Sequence, residues 1–182
     1  MKTTLKSSLG YKDMFKTRNL VIISLMIGLK IVLSQFSIFI TPTFKLFSIA
    51  YLPGAIVSIL YGPWVGIVFG FVGDLVGYVA KPAGPFFIGY TISEMVSLFL
   101  YGIFLYGRKL TIWRITLVRV LNLLLVSFGL NFIWSKMLYG ATAGSHFNWL
   151  RIVNNLINLP ISILLIYALG KLVLKIEKGK YS

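Results

Sequence analysis

Pro63 to Ala80 reads PWVGIVFGFVGDLVGYVA, eighteen residues with one charge, Asp74, among apolar side chains. At about 1.5 Å per residue a helix of this length covers about 27 Å, close to the ~30 Å hydrocarbon core of a bilayer. Gly66, Gly70, Gly73 and Gly77 recur at three- and four-residue intervals within it, with Gly62 just before. That stripe of small residues lets a second membrane helix approach closely. The segment therefore reads as a packed transmembrane helix with a carboxylate buried inside it. The Tyr61-Gly62-Pro63 break gives it a sharp start.

Working outward, five further segments carry the same signature. With the first they run Asn19 to Ile38, Leu46 to Leu60, Pro63 to Ala80, Phe86 to Tyr106, Arg114 to Met137 and Ile152 to Leu172. The second is short, which is tolerable where neighbours shield a helix from lipid. The 182 residues are 58% hydrophobic and only 12% charged, a balance that places the chain in the membrane. The expected fold is an all-α integral membrane protein, a compact bundle of six transmembrane helices in a single domain. A basic tail over 1–18 precedes the bundle at 19–172, and a second basic tail follows at 173–182.

The net charge of +14 would suit nucleic acid, but the basic residues flank apolar segments rather than forming a soluble basic face, so no nucleic-acid partner is expected. They decide topology instead. Twelve lie on the side of the two tails (Lys2 to Arg18, Arg108, Lys109, Arg114 and Lys171 to Lys180), and four, Lys45, Lys81, Lys136 and Arg151, lie on the other. The positive-inside rule puts both termini in the cytoplasm of a bacterial plasma membrane. No cleavable leader is evident, and the chain has no cysteine.

Four ionisable residues fall within the spans: Lys30, Asp74, Glu94 and Arg119. Unpaired near the bilayer centre, they would cost roughly 10 to 14 kcal/mol together on insertion scales. Lys30, Asp74 and Glu94 lie about 16, 16 and 12 Å into their helices. Sharing that depth, they either neutralise one another or line a polar pocket. Arg119, near the start of the fifth span, either snorkels to the interface or joins a polar path with Asn122, Ser127 and Asn131. At 100° per residue Asn122 and Asn131 face opposite ways, so one of them is expected to miss any given pocket. The sixth span opens with a polar stripe of Arg151, Asn154, Asn155 and Asn158, read as a pocket wall in its outer half. The outer loops Ile40–Lys45 and Lys81–Phe87 add prolines, basic residues and aromatics suited to capping a flat, anionic ligand.

There is no GxxxxGK[ST] phosphate loop, so ATP hydrolysis is not expected of this chain. Its single histidine, His146, has no carboxylate nearby in sequence, and no acidic cluster suits a metal; neither cofactor nor metal is expected.

From Thr41-Pro42, Lys45-Leu46 and Leu52-Pro53 through Leu60-Tyr-Gly-Pro-Trp64, Gly66, Gly70, Asp74-Leu75-Val-Gly77, Gly84-Pro85-Phe-Phe, Gly89-Tyr-Thr-Ile-Ser93 and Tyr101-Gly102, the chain resembles the folate-type substrate-binding (S) components of energy-coupling factor vitamin transporters. The likeness continues through Arg119, Asn131-x-x-Trp134, Tyr139-Gly140, Arg151-x-x-Asn154-Asn155 and Leu159-Pro160. It implies a non-catalytic, six-helix capture subunit that docks on a transmembrane coupling protein and two ATPases. The family's small-residue docking motif on the first helix, usually Ala-xxx-Ala, corresponds here to Ser24 and Gly28. Lys45 stands where the family commonly has arginine.

Folate suits the residue inventory. Tyr51, Tyr78, Phe86, Phe87, Tyr90 and Trp134 offer faces for the pterin, Glu94 and the asparagines suit its amino-pyrimidinone edge, and basic residues suit the glutamate. The expected pose puts the pterin inside, with the glutamate outward towards Lys45 and Arg151; the reverse pose would bring the glutamate to Lys30 or Arg119. Another vitamin or precursor on the same scaffold, such as hydroxymethylpyrimidine or pantothenate, is the rival ligand. A small membrane enzyme using Asp74 and Glu94 as acid and base is the rival class.

Overall fold

A computed structural model of the chain describes residues 15–35, 38–41, 44–47, 49–80, 82 and 85–179, of which 38–41, 44–47, 139, 141–153 and 177–179 are described for the backbone alone. Helix α1 (Thr17–Gln35) leads to a hairpin of β1 (Ile38–Thr41) and β2 (Phe44–Phe47), then α2 (Tyr51–Tyr61), α3 (Pro63–Ala80) and α4 (Ile88–Leu105). After a short turn come α5 (Ile112–Asn122), a π-helical segment (Leu123–Leu130) and α6 (Asn131–Tyr139), which continue one another, and finally α7 (Ala141–Gly179).

The bundle is helical as expected, and the hairpin corrects the picture in one place. Residues 38–41 and 44–47 pair as antiparallel strands, with Ile38 opposite Phe47, Phe39 opposite Lys45 and Thr41 opposite Phe44. The β-branched and aromatic run Ile38-Phe-Ile-Thr41 against Phe44-Lys-Leu-Phe47 favours strands, and Pro42 cannot continue a helix. The first span therefore ends at Gln35, before the expected Ile38. The second span does not begin at Leu46; α2 starts at Tyr51.

Among the described residues five helical stretches are long and apolar enough to cross a membrane, and α2 is not one of them. Its eleven residues cover only about 16 Å. It is also the most enclosed element: all of Leu52 to Tyr61 is buried, among α1, α3, α4 and α7. A short helix is possible here because protein, not lipid, surrounds it. The buried hydroxyl of Ser58 donates to the carbonyl of Gly54 on the same helix.

The glycines of α3 do what their spacing implies. A Cβ on Gly66 would lie 2.5 Å from Ser58 Oγ and 3.0 Å from the Leu98 carbonyl oxygen, and one on Gly70 would lie 3.1 Å from Met95 Cα. These contacts let α3 press against α2 and α4. At the corner between α2 and α3, Gly62 takes φ = 92°, a backbone setting that side chains disfavour.

The outward surface is apolar. Leu25 (67% exposed), Val79 (81%), Leu164 (63%) and Leu124 (54%) project from four different elements. Water would not tolerate so much contiguous apolar area, whereas lipid does. Helix α1 is the most peripheral element, with Ile23 its one buried residue.

Candidate functional site

A cavity of about 290 Å³ lies between α3, α4, α5, the π-helical segment, α6 and α7. Its wall is built from Asp74, Tyr90, Ser93, Glu94, Ser97, Arg119, Asn122, Leu123, Val126, Ser127, Asn131, Asn155 and Leu159. Helix α4 contributes Tyr90, Ser93, Glu94 and Ser97, an i, i+3, i+4, i+7 stripe that a single helix face must present together.

The facing wall depends on the π-helical segment. The N–H of Asn131 donates to the carbonyl of Val126, five residues back. Such a helix winds more slowly than the α form, at roughly 82° per residue against 100°, so eight residues lag by roughly 140°. That lag brings Asn122 and Asn131 from opposite faces to within roughly 40° of each other. Both line the cavity, contrary to the expectation that one must miss it. Asn122 Nδ2 also donates to the Ser97 carbonyl at 3.3 Å.

Two of the four intramembrane charges pair with each other, and the other two take uncharged partners. Lys30 Nζ pairs with Glu94 Oε1 at 2.9 Å, and Asp74 Oδ2 accepts a hydrogen bond from Thr91 Oγ1 at 2.7 Å. Arg119 turns inward instead of snorkelling. Its Nη1 donates to the Tyr101 hydroxyl at 3.1 Å, and its guanidinium lies 5.2 Å from the centroid of the Tyr51 ring. Tyr51 thus supports the arginine and is not part of the cavity wall.

Ser93 Oγ, Arg119 Nε and Asn131 Oδ1 are buried without a hydrogen-bond partner, and all three residues line the cavity. An unsatisfied buried polar atom costs about 1 to 3 kcal/mol. All three belong to residues around one space, which fits a polar site for a small molecule.

The aromatic residues sit beside the cavity. Phe87 packs edge-on to Tyr90 (6.0 Å between centroids) and tilted against Trp134 (5.7 Å), while Tyr78 meets Phe86 edge-on at 5.0 Å. Trp134 Nε1 is buried and unpartnered, and the Tyr90 hydroxyl lies 3.3 Å from Ser135 Oγ. On α7, Asn155 reaches Ser127 Oγ at 3.3 Å and belongs to the wall; Asn158 donates to Asn154 on its own helix and neither belongs. The side chains of Lys45 and Arg151, and all of Lys81, lie outside the described residues. Ser127 of the expected polar path also lines the cavity, and Ser97, Leu123, Val126 and Leu159, which the sequence did not single out as candidates, complete the wall. Among the described residues no group of three His, Cys, Asp or Glu could hold a metal.

A lipid-facing helical bundle around a polar, incompletely satisfied cavity has the make-up of a membrane subunit that captures a solute. The chain belongs to the family of ECF transporter substrate-specific components, whose model matches residues 18–170. It is therefore a transporter component and not an enzyme. It is 30% identical over 164 residues to the folate transporter FolT of Clostridium novyi, covering 90% of this chain and 94% of that one. It is also 30% identical to the FolT of Leuconostoc mesenteroides, over 84% of each. A crystal structure of FolT bound with folic acid superposes with a TM-score of 0.77 at 25% identity, covering 86% of this chain and 94% of that one.

Proposed function

We propose that this chain is the folate-capturing subunit of an energy-coupling factor transporter. The observation that carries this reading is the cavity itself: a carboxylate wall of Glu94 and Asp74 faces the amides Asn131, Asn122 and Asn155 across a space of about 290 Å³. That volume lies at the low end for small-molecule sites, about 300 to 1,000 Å³. It suits one bicyclic ring whose tail extends elsewhere. The relatives named as folate transporters and the folic-acid-bound neighbour support the choice of ligand.

In this reading the amino-pyrimidinone edge of the pterin donates to Glu94, and Ser93 Oγ and Asn131 Oδ1 gain partners. Phe87, Tyr90 and Trp134 flank the ring, with Tyr78 and Phe86 beyond. The glutamate points outward to Lys45 and Arg151, with Asn154 and Asn158 between. Arg119 meets the ring's acceptor side at the inner end. Both termini are cytoplasmic, following the distribution of lysine and arginine. A transmembrane coupling protein and two ATPases supply the energy, with docking on α1 at Ser24 and Gly28. Both residues are exposed, and a Cβ on Gly28 would meet nothing within 4 Å.

Mass spectrometry of the supernatant from denatured, purified protein tests the ligand directly. Co-purified folate, together with saturable quenching of tryptophan fluorescence by folic acid, is the expected result. A different vitamin in the supernatant, and no folic acid binding, would overturn it. Pteroic acid, which lacks the glutamate, tests the pose: it retains most of the affinity if the ring sits inside, and loses it if Arg119 holds the glutamate.

A further inference from the structure

We infer that Lys30 is a positioning residue for ligand selection: from the first helix it holds the Glu94 carboxylate in place at the cavity wall, so that the site favours a ligand edge donating two hydrogen bonds. The inference deepens the folate reading and rests on it. Lys30 itself is not part of the cavity wall.

Three observations lead here. The first is the division of exposure across the ion pair: the lysine side chain is 14% exposed and the glutamate 29%. The cation stands behind, and the carboxylate stands at the space. The second is the path the lysine takes from α1 to α4. It crosses α3 at Gly73, where a Cβ would lie 3.5 Å from both Lys30 Cδ and Nζ, and the ammonium rests 6.0 Å from the Phe69 ring centroid. A longer side chain at 73 would occupy the lysine's place. The third is the distribution of partners among the other charged groups around the cavity. Asp74 on α3 holds Thr91, and Arg119 on α5 holds Tyr101. Among the described residues the carboxylate of Glu94 is met by Lys30, through one oxygen.

The chemistry follows from those contacts. An ionised carboxylate only accepts hydrogen bonds, and with one oxygen engaged by the lysine it keeps lone pairs for a ligand's paired N–H groups. Removing one partner of a buried ion pair leaves the other free to turn or to seek a new partner, so the lysine fixes where the carboxylate stands. Without the lysine, the wall would lose the feature that distinguishes a ring bearing an amino group next to a ring N–H from one that does not. Lys30 acts on the ligand through Glu94 alone.

A double-mutant cycle on the purified full-length chain reads this out, with folic acid and its 2-desamino analogue as probes. Lys30→Met is expected to weaken folic acid binding about tenfold or more, while the analogue, already unable to use Glu94 fully, changes by less than about threefold. In a Glu94→Gln background, Lys30→Met is expected to add no more than about twofold, since nothing remains for it to position. Lys30→Arg restores most of the preference for folic acid. Equal loss for both ligands, additive loss in the double variant, or no loss at all would overturn the inference. If Lys30→Met does not fold, the uncharged pair Lys30→Met/Glu94→Gln and the Lys30→Arg variant carry the test by their ratio of affinities for the two ligands. Wild-type protein that binds no folic acid overturns the folate reading, and the inference falls with it.

Discussion

Glu94 and Arg119 meet the same cavity with opposite charges, and each should leave its own mark on binding. Glu94→Gln keeps the shape and removes the charge; a hydrogen bond to a charged group is worth about 1.5 to 3 kcal/mol, so folic acid affinity should fall about 10- to 100-fold in a fluorescence titration. Arg119→Met leaves the hydroxyl of Tyr101 without its donor and the Tyr51 ring without its cation. It should lower both affinity and the melting temperature measured in detergent, whereas Glu94→Gln should cost affinity mainly. At this scale the sequence marked Glu94, Arg119, Asn131 and Asn155 for the site. It could not say which partner each charge takes, because Lys30 and Glu94 stand 64 positions apart. For Asp74 the sequence left neutralisation and pocket lining open, and the structure places it in the wall while it holds Thr91.

At the scale of elements, the π-helical segment decides whether two asparagines share one site. Deleting Leu125 should let the remaining residues of 123–130 relax towards the regular α register, which puts Asn131 about 80° from Asn122 instead of roughly 40° and so turns its amide about 40° off the shared face. Folate binding should then be lost while circular dichroism still reports a fully helical, folded protein. Retained binding would show that the slower winding has no bearing on the site. The sequence carried a faint trace of this geometry, since Asn122, Ser127 and Asn131 are spaced by five and four, but reading every helix at 100° per residue hides it. The α2–α3–α4 contact makes a different demand. Gly102 packs against the backbone of Gly62 and Pro63, so Gly102→Val has no room and should destabilise the bundle by about 1 to 3 kcal/mol or more, seen as a lower melting temperature.

For the whole molecule, capture and transport should separate. Gly28→Leu places a bulky group on an exposed face of α1, far from any neighbour in the chain. It should leave folic acid binding intact and reduce ATP-driven uptake in proteoliposomes containing the full transporter. Loss of binding as well would assign Gly28 to the subunit's own folding. The orientation can be read separately: the chain lacks cysteine, so a single Lys180→Cys should react with a membrane-impermeant maleimide only after the cytoplasmic face is opened.

Hydrophobic length, glycine spacing and the placement of lysine and arginine needed only the sequence, because each follows from local composition acting against a bilayer about 30 Å thick. They gave a membrane bundle and its close-packed third helix, while the family likeness came from the motifs between Thr41 and Pro160. Other features depend on groups distant in the chain. Helix α2 can be eleven residues long because four other helices enclose it. Strands 38–41 and 44–47 form because two short β-prone runs pair with each other. The cavity exists because a slower-winding stretch turns one helix face towards another. Those outcomes are set by packing and by which polar groups find partners in a medium without water, and only the folded chain decides them.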